Sequence, residues 1–222
     1  MPLQVRPADA SDAPRAAAIE AEAYSSNAAS NIMFPTDDKT RADGLVSKLN
    51  ASPACRWAKV VDTDIEAAHG GDEALVAFSM WYFWDTPRND EPPMPVWGPS
   101  ANDEACRLFY GTLRSHWVKH MAGKPHVYLE YLHTDPKHQR RGAASLMLKW
   151  GTDQADQLGL PIYLEATEAG KPQYEKHGFQ TIGTAVIDFS KWGASSKMKP
   201  FLMLRQPVSN FNTEAAETGS RK

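Results

Sequence analysis

The strongest constraint on the fold lies in residues 127–158, VYLEYLHTDPKHQRRGAASLMLKWGTDQADQL, where the pattern changes from strand to turn to helix. Residues 126–134 read as a strand that stops at Asp135-Pro136. A helix opens at Arg141 or Gly142 and runs to near Leu158, with Gly159 suited to the reversal after it. Ala143, Leu146, Met147 and Trp150 fall at i, i+3, i+4 and i+7, a stripe that can anchor this helix on a sheet.

A helix that starts from a glycine turn leaves its first backbone N–H groups unpaired, and their partial positive charge can hold phosphate. Gln139-Arg140-Arg141-Gly142-Ala143-Ala144 supplies that arrangement. Gly142 lets the backbone come close to a diphosphate, Ala143 and Ala144 keep the approach open, and Arg140 or Arg141 adds charge. The plain alternative is a helix-start glycine beside a solvated basic turn. Neither GxxxxGK[ST] nor a full GxGxxG occurs, so a nucleotide-triphosphate or dinucleotide loop fits poorly.

The rest of the chain alternates in a way that predicts a mixed α/β protein. A short strand at 4–6 precedes an alanine-rich helix capped by Ser11 or Asp12, with Pro14 in its first turn. Residues 25–35 read as a loop or short helical turns, and 37–49 as a second helix. Strands at 56–62 and 74–84 form a hairpin, with His69-Gly70-Gly71 marking the turn. Pro87, Pro92, Pro93, Pro95 and Pro99 make 85–102 a loop. Cys106, Phe109, Tyr110, Leu113 and Trp117 then recur at helical spacing within 103–121. A strand at 161–166, a short helix at 171–177 and strands at 180–188 and 201–205 complete the order. One domain over 1–208 is expected, followed by a polar tail at 209–222.

At 222 residues the chain can bury a sizeable core, and 42% hydrophobic with 23% charged residues is a globular composition. A net charge of −3 with scattered basic residues gives no general attraction to nucleic acid. The opening residues lack the apolar core of a secretory signal, no stretch is long enough to span a bilayer, and the cytoplasm is the expected compartment. Cys55 and Cys106 are too few and too far apart for a disulfide framework or a cysteine-based zinc site, and are expected to be reduced and buried. His116 and His120 lie one helical turn apart and could join His126 at a metal. They lack the glutamate of HExxH, so a solvated pair and no metal is the expectation.

The block resembles the GNAT superfamily of N-acetyltransferases. That family's acyl-CoA signature is Gln or Arg, two residues, Gly, one residue, then Gly or Ala, and Gln139, Gly142 and Ala144 match it. The order around it agrees: strand, Asp135-Pro136, signature, amphipathic helix, strand, then Tyr174-Glu175-Lys176-His177-Gly178-Phe179. The close match covers about 127–182. The resemblance implies a mostly antiparallel mixed sheet flanked by helices, with two central strands splayed around the cofactor. It also implies acetyl-CoA as acyl donor, held by 139–145, including Ser145, and by the backbone of Leu132, His133 and Thr134.

Under that resemblance the thioester sits between the strand at 126–134 and the one at 161–166, and a backbone N–H near His133 stabilises the oxyanion. Tyr174 is the candidate acid for the departing thiolate, since a phenol stays protonated at neutral pH. Glu130 is the leading candidate to accept the amine proton, directly or through water, with His133 as the alternative. In a regular strand Glu130 shares a face with Leu132 and Thr134, opposite Leu129, Tyr131 and His133. Glu130 and His133 therefore reach one pocket only if the strand bulges. The acceptor is expected from the side opposite CoA, between the first helices, 25–35 and 85–102. Met33, Phe34, Trp81, Phe83, Trp84 and Trp97 could line that side or simply fill the core. A small-molecule amine is the first expectation. A peptide or protein amine, or a non-catalytic acyl-CoA sensor, is the alternative, and both monomer and homodimer remain open.

Overall fold

The computed structural model describes residues 2–35, 40–88 and 94–208. The start of the helix expected at 37–49, part of the proline-rich loop and the tail at 209–222 lie outside them. The elements are β1 (Leu3–Ala8), α1 (Ala13–Tyr24), α2 (Ala28–Met33), α3 (Thr40–Ala51), β2 (Cys55–Asp62), α4 (Thr63–His69), α5 (Gly71–Ala74) and β3 (Leu75–Trp84). They continue as α6 (Asp103–Met121), β4 (His126–Thr134), α7 (Ala143–Leu158), β5 (Ile162–Ala166), α8 (Lys171–Lys176), β6 (Gln180–Thr184) and β7 (Phe201–Arg205). The seven strands form one sheet in the order β1-β2-β3-β4-β5-β7-β6. All neighbours are antiparallel except β4 and β5, which run parallel.

The sheet is covered on both faces. β3 reads LVAFSMWYFW with every residue buried, as a central strand between two helical layers must. Trp81 and Phe83 face one way, onto Leu148 and Ala155 of α7. Phe78, Met80, Tyr82 and Trp84 face the other, with Ala16 and Ile19 of α1, Leu45 of α3 and Trp117 of α6. Among the described residues no helix is long and apolar enough to cross a membrane.

Two departures from the sequence reading have local causes. The segment between β2 and β3 is not a simple turn but the two short helices α4 and α5. The Asp62 side chain accepts from the Asp64 N–H to cap α4, and Gly70, at φ 85°, separates the pair. The strand expected over 180–188 ends at Thr184, and beyond it only a single bridge joins Ile187 to Met198. On α7 the buried set is Ala143, Met147, Leu148, Gly151, Thr152 and Ala155. The buried face is thus turned from the predicted stripe, leaving Leu146 and Trp150 at its flanks.

The feature that positions a site is the divergence of β4 from β5. β4 has nine residues, yet only Val127 and Tyr128 pair with β5, opposite Ile162 and Tyr163. Beyond Tyr128 the two strands part and a cavity opens between them.

Candidate active site

The turn after β4 is pinned from two sides. The Asp135 N–H donates to the Val76 carbonyl, and its buried carboxylate receives Arg15 of α1 at 2.5 Å and the Lys137 N–H at 2.8 Å. These bonds hold its pKa below the carboxylate range against the opposing effect of burial. The chain then passes Gln139 and reaches Arg140 at φ 61°, the one positive φ outside glycine among the described residues. Gly142 follows at φ 94° as the N-cap of α7.

No side chain caps that helix. The first N–H of the turn with a backbone acceptor is that of Leu146, bonded to Gly142. The N–H groups ahead of it therefore point outward without a partner among the described residues, next to exposed Arg140 and Gly142. A Cβ at Gly142 would meet nothing within 4 Å, so glycine is required here by its φ rather than by space. Arg141 is already engaged, with Asp62 at 2.5 Å and His138 at 2.7 Å. Ala143 is buried against Met147, Ala144 lines the cavity, and Ser145 Oγ accepts from Gln173 of α8 at 2.7 Å.

The cavity, about 310 Å³, runs through the gap. On one side stand Ala144, Thr167, Gly170, Gln173 and Tyr174. On the other are Tyr24, Met33, Phe34, Phe109, Tyr110 and Trp117. Between them Tyr128 to His133 and Glu165 to Thr167 line the two diverging strands. Tyr174 lies edge-on to Phe179, and its hydroxyl has no hydrogen bond among the described residues. Burial raises its pKa well above that of an ordinary phenol.

β4 does bulge. In its pairing with β3, Met80 faces Tyr131 but Trp81 faces Leu129, so Glu130 is the extra residue. The bulge resets the alternation. Leu129 and Leu132 turn toward α7. Glu130 and Tyr131 both meet Lys48 of α3, and His133 packs on Tyr131 and Tyr24. Glu130 and His133 thus line the same cavity, and Glu130 does not share a face with Leu132. Thr134 ends the strand opposite Ala77.

The sequence profile described as "Acetyltransferase (GNAT) family" matches residues 63–179. The chain belongs to the GNAT family. Solved structures of that kind share its fold. They include a protein from Corynebacterium glutamicum described as histone acetyltransferase HPA2 and related acetyltransferase, with 18% identity, 95% of this chain and 99% of that one covered and a TM-score of 0.54. YncA of Salmonella typhimurium, solved with its cofactor acetyl-CoA, gives 12%, 97% and 99%, and 0.56. The ribosomal-protein-S18-alanine N-acetyltransferase of Escherichia coli gives 15%, 95% and 98%, and 0.52. In sequence, "Probable acyltransferase SID5" of Ajellomyces capsulatus is 37% identical over 49 residues, a stretch covering 22% of this chain and 36% of that protein. The mixed seven-stranded sheet with parted central strands is the GNAT fold.

This GNAT chain also carries a cavity residue that the sequence reading passed over. Glu165 of β5 receives the Tyr128 hydroxyl on Oε2 at 3.0 Å, while its Oε1 is buried without a partner. Burial pushes its carboxyl up to about 7, with the charge of Glu130 acting in the same direction and the Tyr128 bond against it. Glu130, by contrast, is ion-paired with Lys48. His133 has its Nε2 buried and unbonded, and burial lowers its pKa, so it is a neutral imidazole at physiological pH. His126 is not on the cavity lining: its ring contacts the Lys124 carbonyl and accepts from Trp117 Nε1. The described residues contain no group of three or more His, Cys, Asp or Glu placed for a metal. Of the aromatic and Met candidates for the acceptor side, Met33 and Phe34 line the cavity, while Trp81, Phe83 and Trp84 fill the core and Trp97 stacks on Tyr110.

Proposed function

We propose that this GNAT-family chain transfers an acetyl group from acetyl-CoA directly to the primary amine of a small molecule. One observation carries the reading: a single cavity passes between β4 and β5, with the uncapped start of α7 at one side and an aromatic chamber at the other. The acetyltransferase-like YncA of Salmonella typhimurium, which shares this fold, was solved with acetyl-CoA as its cofactor, which supports the same donor here. The N–H groups of 142–145 receive the diphosphate, with Gln139 and Arg140 at its rim and Arg141 bracing the loop through Asp62. Pantetheine follows the unpaired edge of β4 at Leu132, His133 and Thr134 and brings the thioester to the gap.

Transfer needs a neutral amine, a polarised carbonyl and a proton for the departing thiolate. A β4 backbone N–H near His133 faces the forming oxyanion. Tyr174, with its phenol held protonated by burial, supplies the thiolate's proton. A carboxylate at the gap, Glu130 or Glu165, takes the amine's proton. A cleft of about 310 Å³ walled largely by aromatic side chains favours a small acceptor over a folded protein. Residues 1–208 serve as one acyltransferase domain, because one sheet runs from Leu3 to Arg205.

The test is acetyl-CoA turnover over a panel of small amines, peptides and proteins, with CoA release and acetylated product both followed. Stoichiometric amide and CoA from small amines is the expected result. Tight acetyl-CoA binding without amine-dependent turnover would leave an acyl-CoA sensor in its place.

A further inference from the structure

Among the described residues three carboxylates line the cavity, and two are already answered by cations. Glu20 pairs with Arg41 at 3.0 Å, and Glu130 pairs with Lys48. Glu165 has no ion pair among the described residues. Among the described residues its partners are neutral phenols, the Tyr128 hydroxyl at 3.0 Å and Tyr163 on its own strand. The chamber in front of it is walled by Tyr24, Phe34, Phe109, Tyr110 and Trp117, with Arg114 of α6 also on the lining.

We propose that the acceptor is an apolar primary monoamine, aryl- or branched-alkyl, that docks its ammonium on Glu165, and that Glu165 is the residue which takes its proton. The proposal rests on the acetyl-transfer reading of the same cleft and adds to it a substrate class and a proton acceptor. One uncompensated carboxylate matches one ammonium. A second cation, as in a polyamine, would enter an aromatic chamber whose other acids are spent. An amino acid would bring a carboxylate toward Arg41, which already serves Glu20 and lies over the Phe34 ring. The apolar body of an arylalkylamine meets only what these walls offer.

The proton count closes. R–NH3+ gives one proton to the Glu165 carboxylate, and the freed lone pair attacks the thioester carbon. The C–N bond forms and the C–S bond breaks. The nitrogen sheds its second proton as Tyr174 protonates the thiolate, and that proton restores the phenol through water. The products are amide, CoA thiol and one proton released from Glu165 to solvent. A base must be ionised to act, and burial with Glu130 close by places the Glu165 titration at about 7. The groups that set it are Tyr128 and Glu130 on β4 and Tyr163 on its own strand, with apolar Leu202 paired opposite on β7.

The experiment is steady-state kinetics with acetyl-CoA and phenethylamine, isoamylamine, spermidine, free amino acids and a lysine peptide. It is repeated from pH 5.5 to 9 for wild type, Glu165→Gln and Glu130→Gln. Phenethylamine or isoamylamine is expected to exceed spermidine, amino acids and peptide at least tenfold in kcat/KM. Glu165→Gln is expected to lower that value at least a hundredfold and erase the rising limb near pH 7, while acetyl-CoA affinity by calorimetry stays within about twofold. Glu130→Gln should keep the limb but move it to lower pH, because the Glu130 charge helps to raise the Glu165 carboxyl. Turnover that favours spermidine, amino acids or the peptide overturns the substrate class and leaves acetyl transfer standing. A limb that survives in Glu165→Gln and vanishes in Glu130→Gln overturns the proton acceptor. No turnover with any amine removes the acetyl-transfer reading and this proposal together, and retained acetyl-CoA binding by Glu165→Gln separates lost chemistry from lost folding.

Discussion

The two residues proposed to act at the reacting atoms differ in how far sequence alone marks them. Tyr174 stands in a short local pattern, a tyrosine shortly before Gly178-Phe179, that sequence alone displays. Glu165 carries no such mark: a glutamate in a five-residue strand becomes unusual only when Tyr128 from another strand bonds it and the fold buries its Oε1 without a partner. Tyr174→Phe keeps the ring on Phe179 and removes the proton. It should lower kcat by about a hundredfold, the low end for a general acid, with acetyl-CoA affinity unchanged within about twofold. Equal kcat under chemistry-limited conditions would remove Tyr174 from the mechanism. Glu165 also affects stability, with a definite sign. Its folded pKa of about 7 lies above the ordinary 4.5, so between those values the folded state holds a proton that the unfolded chain has released. Stability from this group is therefore complete below pH 4.5 and is lost as pH rises through 7. Glu165→Gln should match wild type at pH 4 and exceed it by roughly 3 kcal/mol at pH 8, read from denaturant unfolding at the two pH values. A constant difference across that range would place the titration elsewhere.

Among the elements, β4, α7 and their junction were legible because every signal is local: alternation, Asp135-Pro136, a glycine at the start and Gly159 at the end. The bulge at Glu130 was not, because a bulge here answers to the register of β3 and leaves no glycine or proline in β4. α4 was missed for a related reason, since Asp62 reads equally as a turn residue and a cap. Gly151 is a third hidden feature. In sequence it is a weak spot inside a helix. In the fold, a Cβ there would lie 2.4 Å from Cη2 of Trp81, and that indole is held by its bond to Ser79 Oγ at 2.9 Å. Gly151 therefore sets how closely α7 approaches β3. Gly151→Ala should destabilise by about 1–2 kcal/mol, overpacking outweighing a helix-propensity gain of about 1 kcal/mol, and lower Tm by several degrees. A raised Tm would show that the helix can lift off Trp81 without loss.

At the scale of the molecule, the sheet is two blocks, β1 to β4 and β5 to β7, joined by two register pairs and by α7. The proposed cofactor lies along that seam, touching the β4 edge, the start of α7 and Tyr174, so its binding free energy should appear as stability of the whole fold. Acetyl-CoA at a hundred times its Kd would add about 2.7 kcal/mol, a Tm rise of roughly 5–10 °C for a chain of this size. Gly142→Glu sets a carboxylate against the diphosphate and should abolish the rise. The same change also forces a side chain onto φ 94°, which lowers the unliganded Tm by itself. The comparison is therefore each protein's shift from its own unliganded value, with Gly142→Asn, which tolerates a left-handed backbone without adding charge, as the companion. Wild type and Gly142→Asn should both shift, and Gly142→Glu should not. A full shift in Gly142→Glu would mean that the diphosphate binds away from the start of α7, and the seam would then be closed by some other contact of the cofactor.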